Sequence, residues 1–99
     1  MTLGIVFHPK VFSEVDTIMA YCEKVSGSTL AVDFYDEFLQ FVGKAAQQPE
    51  IYGLQTGELR RVNLHRFPYN FLFRIMDDHI RILVVRHHAR KPTYGTGRV

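Results

Sequence analysis

Residues 59–88, LRRVNLHRFPYNFLFRIMDDHIRILVVRHH, decide the fold. Leu59 to Phe67, Tyr69 to Met76 and Ile80 to His87 are runs rich in β-branched, aromatic and alternating residues, and each predicts a strand. Pro68, which has no N–H to give a ladder, separates the first two runs, and the turn formers Asp77 and Asp78 separate the last two. Three strands on short connections predict an antiparallel meander. In the middle run Tyr69, Phe71, Phe73 and Ile75 alternate with Asn70, Leu72, Arg74 and Met76, so one face is strongly apolar and the other mixed. The apolar face needs a cover.

Upstream of the meander the period lengthens. Val11, Val15, Ile18, Met19 and Cys22 recur at helical spacing, with Ser13 and Asp16 spaced like a capping box, and predict a helix over about residues 11–25. Gly27 and Ser28 read as a stop and a new N-cap, after which Ala31, Phe34, Phe38, Phe41 and Ala45 form the stripe of a second helix that Pro49 closes. Helices joined so closely pack as an antiparallel hairpin, with the phenylalanines turned to the sheet. Leu3 to Phe7, closed by Pro9, is a first strand. The predicted fold is α+β: an N-terminal strand beside a three-strand meander, covered on one face by a two-helix hairpin. A chain of 99 residues, 46% hydrophobic, leaves room for one domain over residues 1–99, with residues 88–99 a loop-like basic tail, mobile in part.

Charge is divided unevenly along the chain. Residues 1–59 carry three lysines against eight acids, whereas residues 60–99 carry eight arginines and Lys91 against Asp77 and Asp78. That asymmetry points to an anionic or acidic partner. Pro9, Lys10, Glu14 and Asp16 interrupt any leader-like apolar run and no later stretch reaches membrane-spanning length, so a cytoplasmic protein is expected. Cys22 is the only cysteine, which excludes an internal disulfide and a zinc site on paired thiolates. It reads as a core residue.

The residues with chemistry cluster where the last strand runs into the tail: Arg86, His87, His88, Arg90, Lys91, Tyr94 and Arg98. Arginines steady phosphate oxygens, tyrosine stacks or moves a proton, and histidine titrates near neutral pH, a set able to support in-line RNA cleavage by a neighbouring 2′-hydroxyl. A basic docking surface for an acidic peptide or nucleic acid explains the same residues. Arg60, Arg61, Asn63, His65 and Arg66 extend that surface from the first meander strand, and paired arginines there suit the carboxylates of an acidic partner. His87 and His88, being adjacent on a strand, point to opposite faces and do not grip one metal ion, and no cofactor motif is present. Asp33, Asp36 and Glu37 read as solvated charge on the outer face of the second helix.

The order strand, helix hairpin and meander, the segments Leu59-Arg60-Arg61-Val62 and Arg66-Phe67-Pro68-Tyr69, the strand Ile80 to Val85 and the ending His87-His88-Ala89-Arg90-Lys91-Pro92 together resemble the RelE/ParE toxins of bacterial type II toxin–antitoxin systems. The resemblance spans nearly the whole chain and rests on ordered combination more than on any one motif. It implies a growth-inhibiting toxin held by a cognate acidic antitoxin that wraps it with helices and an extended segment, with a higher-order complex possible between the two.

RelE-like members are ribosome-dependent mRNA endonucleases, and ParE-like members act on DNA gyrase without a ribonuclease site. For the first branch the resemblance implies catalytic roles for Arg61, His87, His88, Arg90 and Tyr94. For the second it implies target or antitoxin binding by Arg60, Arg61, Arg66, Arg86, Arg90, Lys91 and Arg98. Asn70 stands where the nuclease branch carries a phosphate-contacting arginine, and the low net charge, the Arg66-Phe67-Pro68-Tyr69 step and the Arg90-Lys91-Pro92 ending resemble the ParE branch more. A non-toxic binding module is the remaining alternative.

Overall fold

The computed structural model describes residues 2–99. In chain order the elements are β1 (Gly4–Phe7), α1 (Pro9–Ser26), α2 (Ser28–Gln47), a 3-10 turn (Pro49–Ile51), β2 (Leu54–Thr56), β3 (Leu59–Asn63), β4 (Tyr69–Ile75) and β5 (His79–His87). The expected α+β architecture is present. Two helix starts differ from expectation. α1 begins at Pro9, whose missing N–H costs nothing in a first turn, with His8 as cap accepting the Lys10 N–H on Nδ1. Ser13 lies inside the helix and donates to Lys10 O. α2 starts from Gly27 at φ +84°, a conformation natural to glycine, and Ser28 makes no capping bond.

The sheet runs β1-β5-β4-β3-β2, with β1 parallel to β5 and the rest antiparallel. The loop expected after Tyr52 contains the short edge strand β2, and the run expected to extend to Phe67 leaves the ladder after Asn63. Leu64 N–H then bonds Tyr69 O across the β3–β4 loop. Between β4 and β5 the register shifts: Leu72 faces Val84 but Phe73 faces Ile82, so Leu83 is an extra, bulged residue. Ile80 and Ile82 therefore belong to the helix-side core, while Leu83 and Val84 both join Leu59, Leu72 and Tyr94 in a second, smaller cluster on the other side.

The hairpin covers the face of Tyr69, Phe71 and Phe73. Phe34 and Phe38 stack at 6.3 Å, and Phe67 and Tyr69 meet Phe34 edge-on at 5.6 and 5.5 Å. Phe34, Phe71 and Phe73 are fully buried, each contributing roughly 1.5–3 kcal/mol of hydrophobic stabilisation. Cys22 is in this core, where burial pushes its thiol pKa up. Glu37 corrects the sequence reading: it is buried, and its Oε2 accepts the His65 and Arg66 N–H groups at 3.0 and 3.1 Å. A helix carboxylate thus fastens the loop that leaves β3, because two backbone donors there have no ladder partner.

Candidate functional site

The tail, loop-like as expected, runs in turns and is tied to the sheet by specific hydrogen bonds. Arg86, buried at 3% exposure, donates through Nη1 to Lys91 O, Pro92 O and Tyr94 O at 3.4, 2.8 and 3.0 Å. A planar guanidinium with several donors folds the tail back over the end of β5. Burial, followed by the charge of Arg61, lowers its pKa from the ordinary arginine value. The tail then lies on the outer face of the sheet, with Gly95 at φ +79° so close that a Cβ would stand 2.5 Å from Val84 Cγ2. Arg86, expected at the binding surface, is buried here, and through Nε and Nη1 it braces the tail.

A second tie lies where β1 ends. Past Phe7, β5 has no neighbour on that side, and its backbone is satisfied by side chains: Glu14 Oε1 accepts the Val85 N–H at 3.1 Å and Arg98 Nη1 donates to Leu83 O at 3.0 Å. Arg98 and Glu14 bond each other at 3.0 Å, and the Tyr94 hydroxyl donates to Glu14 Oε2 at 3.2 Å. Burial opposes the charge of Arg98, and Glu14 more than offsets it, so its pKa is raised. Arg98, also expected at the binding surface, lies here at a sheet edge that it helps to close. Glu14, which the sequence reading passed over, is the acceptor for all of this.

A polar cluster sits on the outer face at the end of β5. Arg86 Nε donates to Asn70 Oδ1, which fixes the amide orientation and makes Asn70 Nδ2 a donor to His88 Nδ1 at 3.0 Å. Arg61 Nη2 also approaches His88 Nδ1, at 3.3 Å, while its Nε donates to Asn63 Oδ1 at 2.7 Å. With donors only on Nδ1, the neutral ring of His88 carries its proton on Nε2. Desolvation, then Arg61, then His87 lower its pKa, so the neutral form is favoured. His87 is on the opposite face, its Nδ1 accepting the Ala89 N–H and its ring edge-on to Tyr69.

The remaining cations are dispersed. Arg90 is exposed, with its guanidinium 4.7 Å over the Tyr94 ring, and Lys91 is exposed beside it. Arg66 pairs with Asp33 on the hairpin side at 3.3 Å, and Arg60 donates to Tyr52 O at 2.8 Å. The structure thus brings together Arg61, His88, Arg86, Arg90, Lys91 and Tyr94 around the tail, and leaves Arg60 and Arg66 elsewhere. One hollow borders the region and a second lies apart from it on the helix hairpin. The first, of about 350 Å³, lies between α1, the end of β5 and the tail, with Ser13, Thr17, His87 and Arg90 on its walls. The other, about 290 Å³, is an apolar groove between the helices lined by Phe7, Phe12, Met19, Tyr35, Phe38 and Leu39, of which Phe12 is 61% exposed.

Residues 5–92 match the family described as the ParE toxin of type II toxin–antitoxin system, parDE. The chain belongs to this family of toxins. No curated protein matches it. Among solved structures this ParE-family chain is similar to the chromosomal ParDE toxin–antitoxin system of P. aeruginosa, at TM-score 0.78 and 18% identity over 87% of this chain and 96% of that one. It is also similar to a mutant of the E. coli toxin RelE in the free state, at TM-score 0.61 and 14% identity over 95% of this chain and 92% of that one. At such identities the likeness establishes the shared fold. The RelE/ParE resemblance of the sequence is therefore borne out, with the family match on the ParE side, and a type II toxin has an antitoxin as its partner. Among the described residues no helix is long and apolar enough to cross a membrane.

Proposed function

We propose that this toxin arrests growth by binding DNA gyrase, in the ParE manner, and that it does not cleave RNA. The observation that carries the reading is the engagement of its proton-transfer candidates. The Tyr94 hydroxyl is given to Glu14, the basic nitrogen of His88 is taken by Asn70 and Arg61, and Nδ1 of His87 is taken by the Ala89 N–H. In-line cleavage needs one group free to take a proton and another free to give one. What stays free on the surface, Arg90 and Lys91 with the outer edge of Arg61, suits electrostatic recognition of a macromolecular target. The cognate antitoxin docks an amphipathic helix in the apolar groove beside Phe12, Tyr35 and Leu39, and further copies of the pair assemble into a larger complex.

Brief induction in a bacterial host, with DNA breaks and reporter translation followed together, tests this. Breaks accumulating while translation continues are expected; early loss of translation with intact DNA would overturn it. One feature favours the RelE-like alternative: Arg61 and His88 share the open face at 3.3 Å. If cleavage occurs there, primer extension maps cuts at codon positions in cellular mRNA, and Arg61→Ala, Arg90→Ala and Tyr94→Phe each lower it by orders of magnitude.

A further inference from the structure

Pairing with β1 stops at Ile82, and the edge of β5 beyond it is closed at both ends but open in the middle. The direction of each backbone group follows from its neighbours. His88 N–H bonds Pro68 O at 2.9 Å, so His88 and Arg86 turn their backbone groups to β4, whereas Tyr69, opposite His87, accepts Leu64 N–H at 3.0 Å on the β3 side. The backbone groups of Val85 and His87 alternate with these and face away from β4. Most groups on that edge are taken: Arg98 donates to Leu83 O at 3.0 Å, Glu14 accepts the Val85 N–H at 3.1 Å, and the Arg90 N–H closes a turn onto His87 O at 3.0 Å. Val85 O and the His87 N–H stand between them, and among the described residues neither has a partner. Both residues belong to the wall of the hollow between α1 and the tail.

We propose that this gap binds the base of an adenine nucleotide. Adenine gives its 6-amino N–H to Val85 O and takes the His87 N–H on the neighbouring ring nitrogen, a planar edge of one donor and one acceptor. An added strand from a protein needs a longer run of free backbone groups, and here Glu14, Arg98 and the Arg90 N–H have taken the rest. The other bases carry three polar groups on that edge. The third, the 2-amino group of guanine or the 2-carbonyl of a pyrimidine, would face groups already engaged, which a partly enclosed site penalises. Ile18, Tyr69 and Tyr94 supply apolar wall for a flat ring, and Arg90, exposed and 4.7 Å over the Tyr94 ring, supplies a fork for phosphate oxygens. His87 adds its Nε2–H, since its Nδ1 accepts the Ala89 N–H. Glu14, the one acid in the wall, is neutralised by Arg98 at 3.0 Å. A volume of about 350 Å³ lies within the range of small-ligand sites, roughly 300–1,000 Å³, and suits one nucleotide better than a run of them. The inference does not depend on the toxin reading.

The test uses the full-length chain labelled with nitrogen-15, with adenosine 5′-monophosphate as the probe and backbone amide signals as the readout. The His87 amide is expected to move downfield and saturably as the nucleotide is added. The 6-dimethylamino analogue, which lacks the donor, and the guanosine and cytidine monophosphates should bind at least about tenfold more weakly. Arg90→Ala should weaken the monophosphate severalfold and leave adenosine nearly unaffected. Thr17→Trp, at an exposed helix position on the wall, should abolish binding of both, with unchanged dispersion of the other amides showing that the variant is folded. A His87 amide that stays in place, equal binding of the dimethylamino or guanosine nucleotide, the same shifts from inorganic phosphate alone, or full affinity in Thr17→Trp would each overturn the site. An oligoadenylate that binds more tightly than the mononucleotide at equal base concentration would replace it with a nucleic-acid surface. A chain that binds the nucleotide without arresting growth sinks the toxin reading and leaves the site; a toxic chain whose His87 amide never moves does the reverse.

Discussion

Glu14→Ala removes the acceptor that serves Arg98, Tyr94 and the Val85 N–H together, at 3.0, 3.2 and 3.1 Å. The two charged side chains are 12% and 14% exposed, so solvent does little to replace the lost partner. Breaking such a pair from one side leaves a buried charge and costs about 3–5 kcal/mol, a large share of the roughly 5–15 kcal/mol that holds a domain folded. For a chain of this size that lowers Tm by at least about 12 °C. Glu14→Ala combined with Arg98→Leu removes the stranded cation too, and leaves only neutral groups without their partners, the Val85 N–H, the Leu83 carbonyl and the Tyr94 hydroxyl, of which the buried N–H is worth about 1–3 kcal/mol. The double variant should therefore be more stable than Glu14→Ala alone, with a coupling on the order of 2 kcal/mol. Urea unfolding of the purified chain, followed by circular dichroism, measures all three variants. A Glu14→Ala chain within about 0.5 kcal/mol of the parent, or strictly additive losses in the double variant, would refute the account of this tie.

Three further outcomes follow from the same geometry. Gly95→Ala forces a Cβ against Val84 in a positive-φ conformation and should cost about 1–3 kcal/mol, whereas Gly97→Ala, with open space around it, should be near neutral; equal melting temperatures for the two would contradict the packed tail. Glu37→Ala strands the His65 and Arg66 N–H groups and should cost about 1–3 kcal/mol, read as faster amide exchange confined to the β3–β4 loop; unchanged exchange there would remove Glu37 from its role. The third concerns pH: the lowered folded-state pKa of His88 means its stabilising contribution is complete above the unfolded value of 6.5 and fades as pH falls through the lower folded value. An NMR titration should place the His88 midpoint below that of a free histidine, and Asn70→Ala should move it upward; a midpoint above 6.5 would be the contrary result.

The hairpin, the meander and the buried phenylalanine stripe were legible because the helical period of α1 and α2, the alternation of β4 and the turn formers at Pro68 and Asp77-Asp78 agree with one another. β2 was not legible, since Leu54-Gln55-Thr56 is too short between Gly53 and Gly57 to display a period. Leu83 was hidden for the opposite reason: within Ile82-Leu83-Val84-Val85 every residue is apolar, so alternation cannot be counted and a bulge leaves no mark. Glu37 looked solvated because Asp33 and Asp36 share its surroundings in sequence, and only the loop's unpaired N–H groups, three-dimensional information, draw it inward. The tail's composition reads as mobile, and its order comes from carbonyls that Arg86 collects, a contact no spacing announces.

The extra residue at Leu83 gives length, as distinct from identity, a meaning of its own in β5. Ahead of it the even-numbered side chains point toward the helices, and beyond it they point away, which is why Arg86 can reach the tail at all. Forcing the strand into unbroken alternation at its present length would leave every downstream side chain chemically intact but sent to the wrong address: the guanidinium delivered into the phenylalanine core, Val85 delivered to water, and the C-terminal segment without its knot. Deleting Leu83, by contrast, turns the bulge into a regular ladder in which Val84 still faces Leu72 and Arg86 still faces the tail, so the frame downstream is kept.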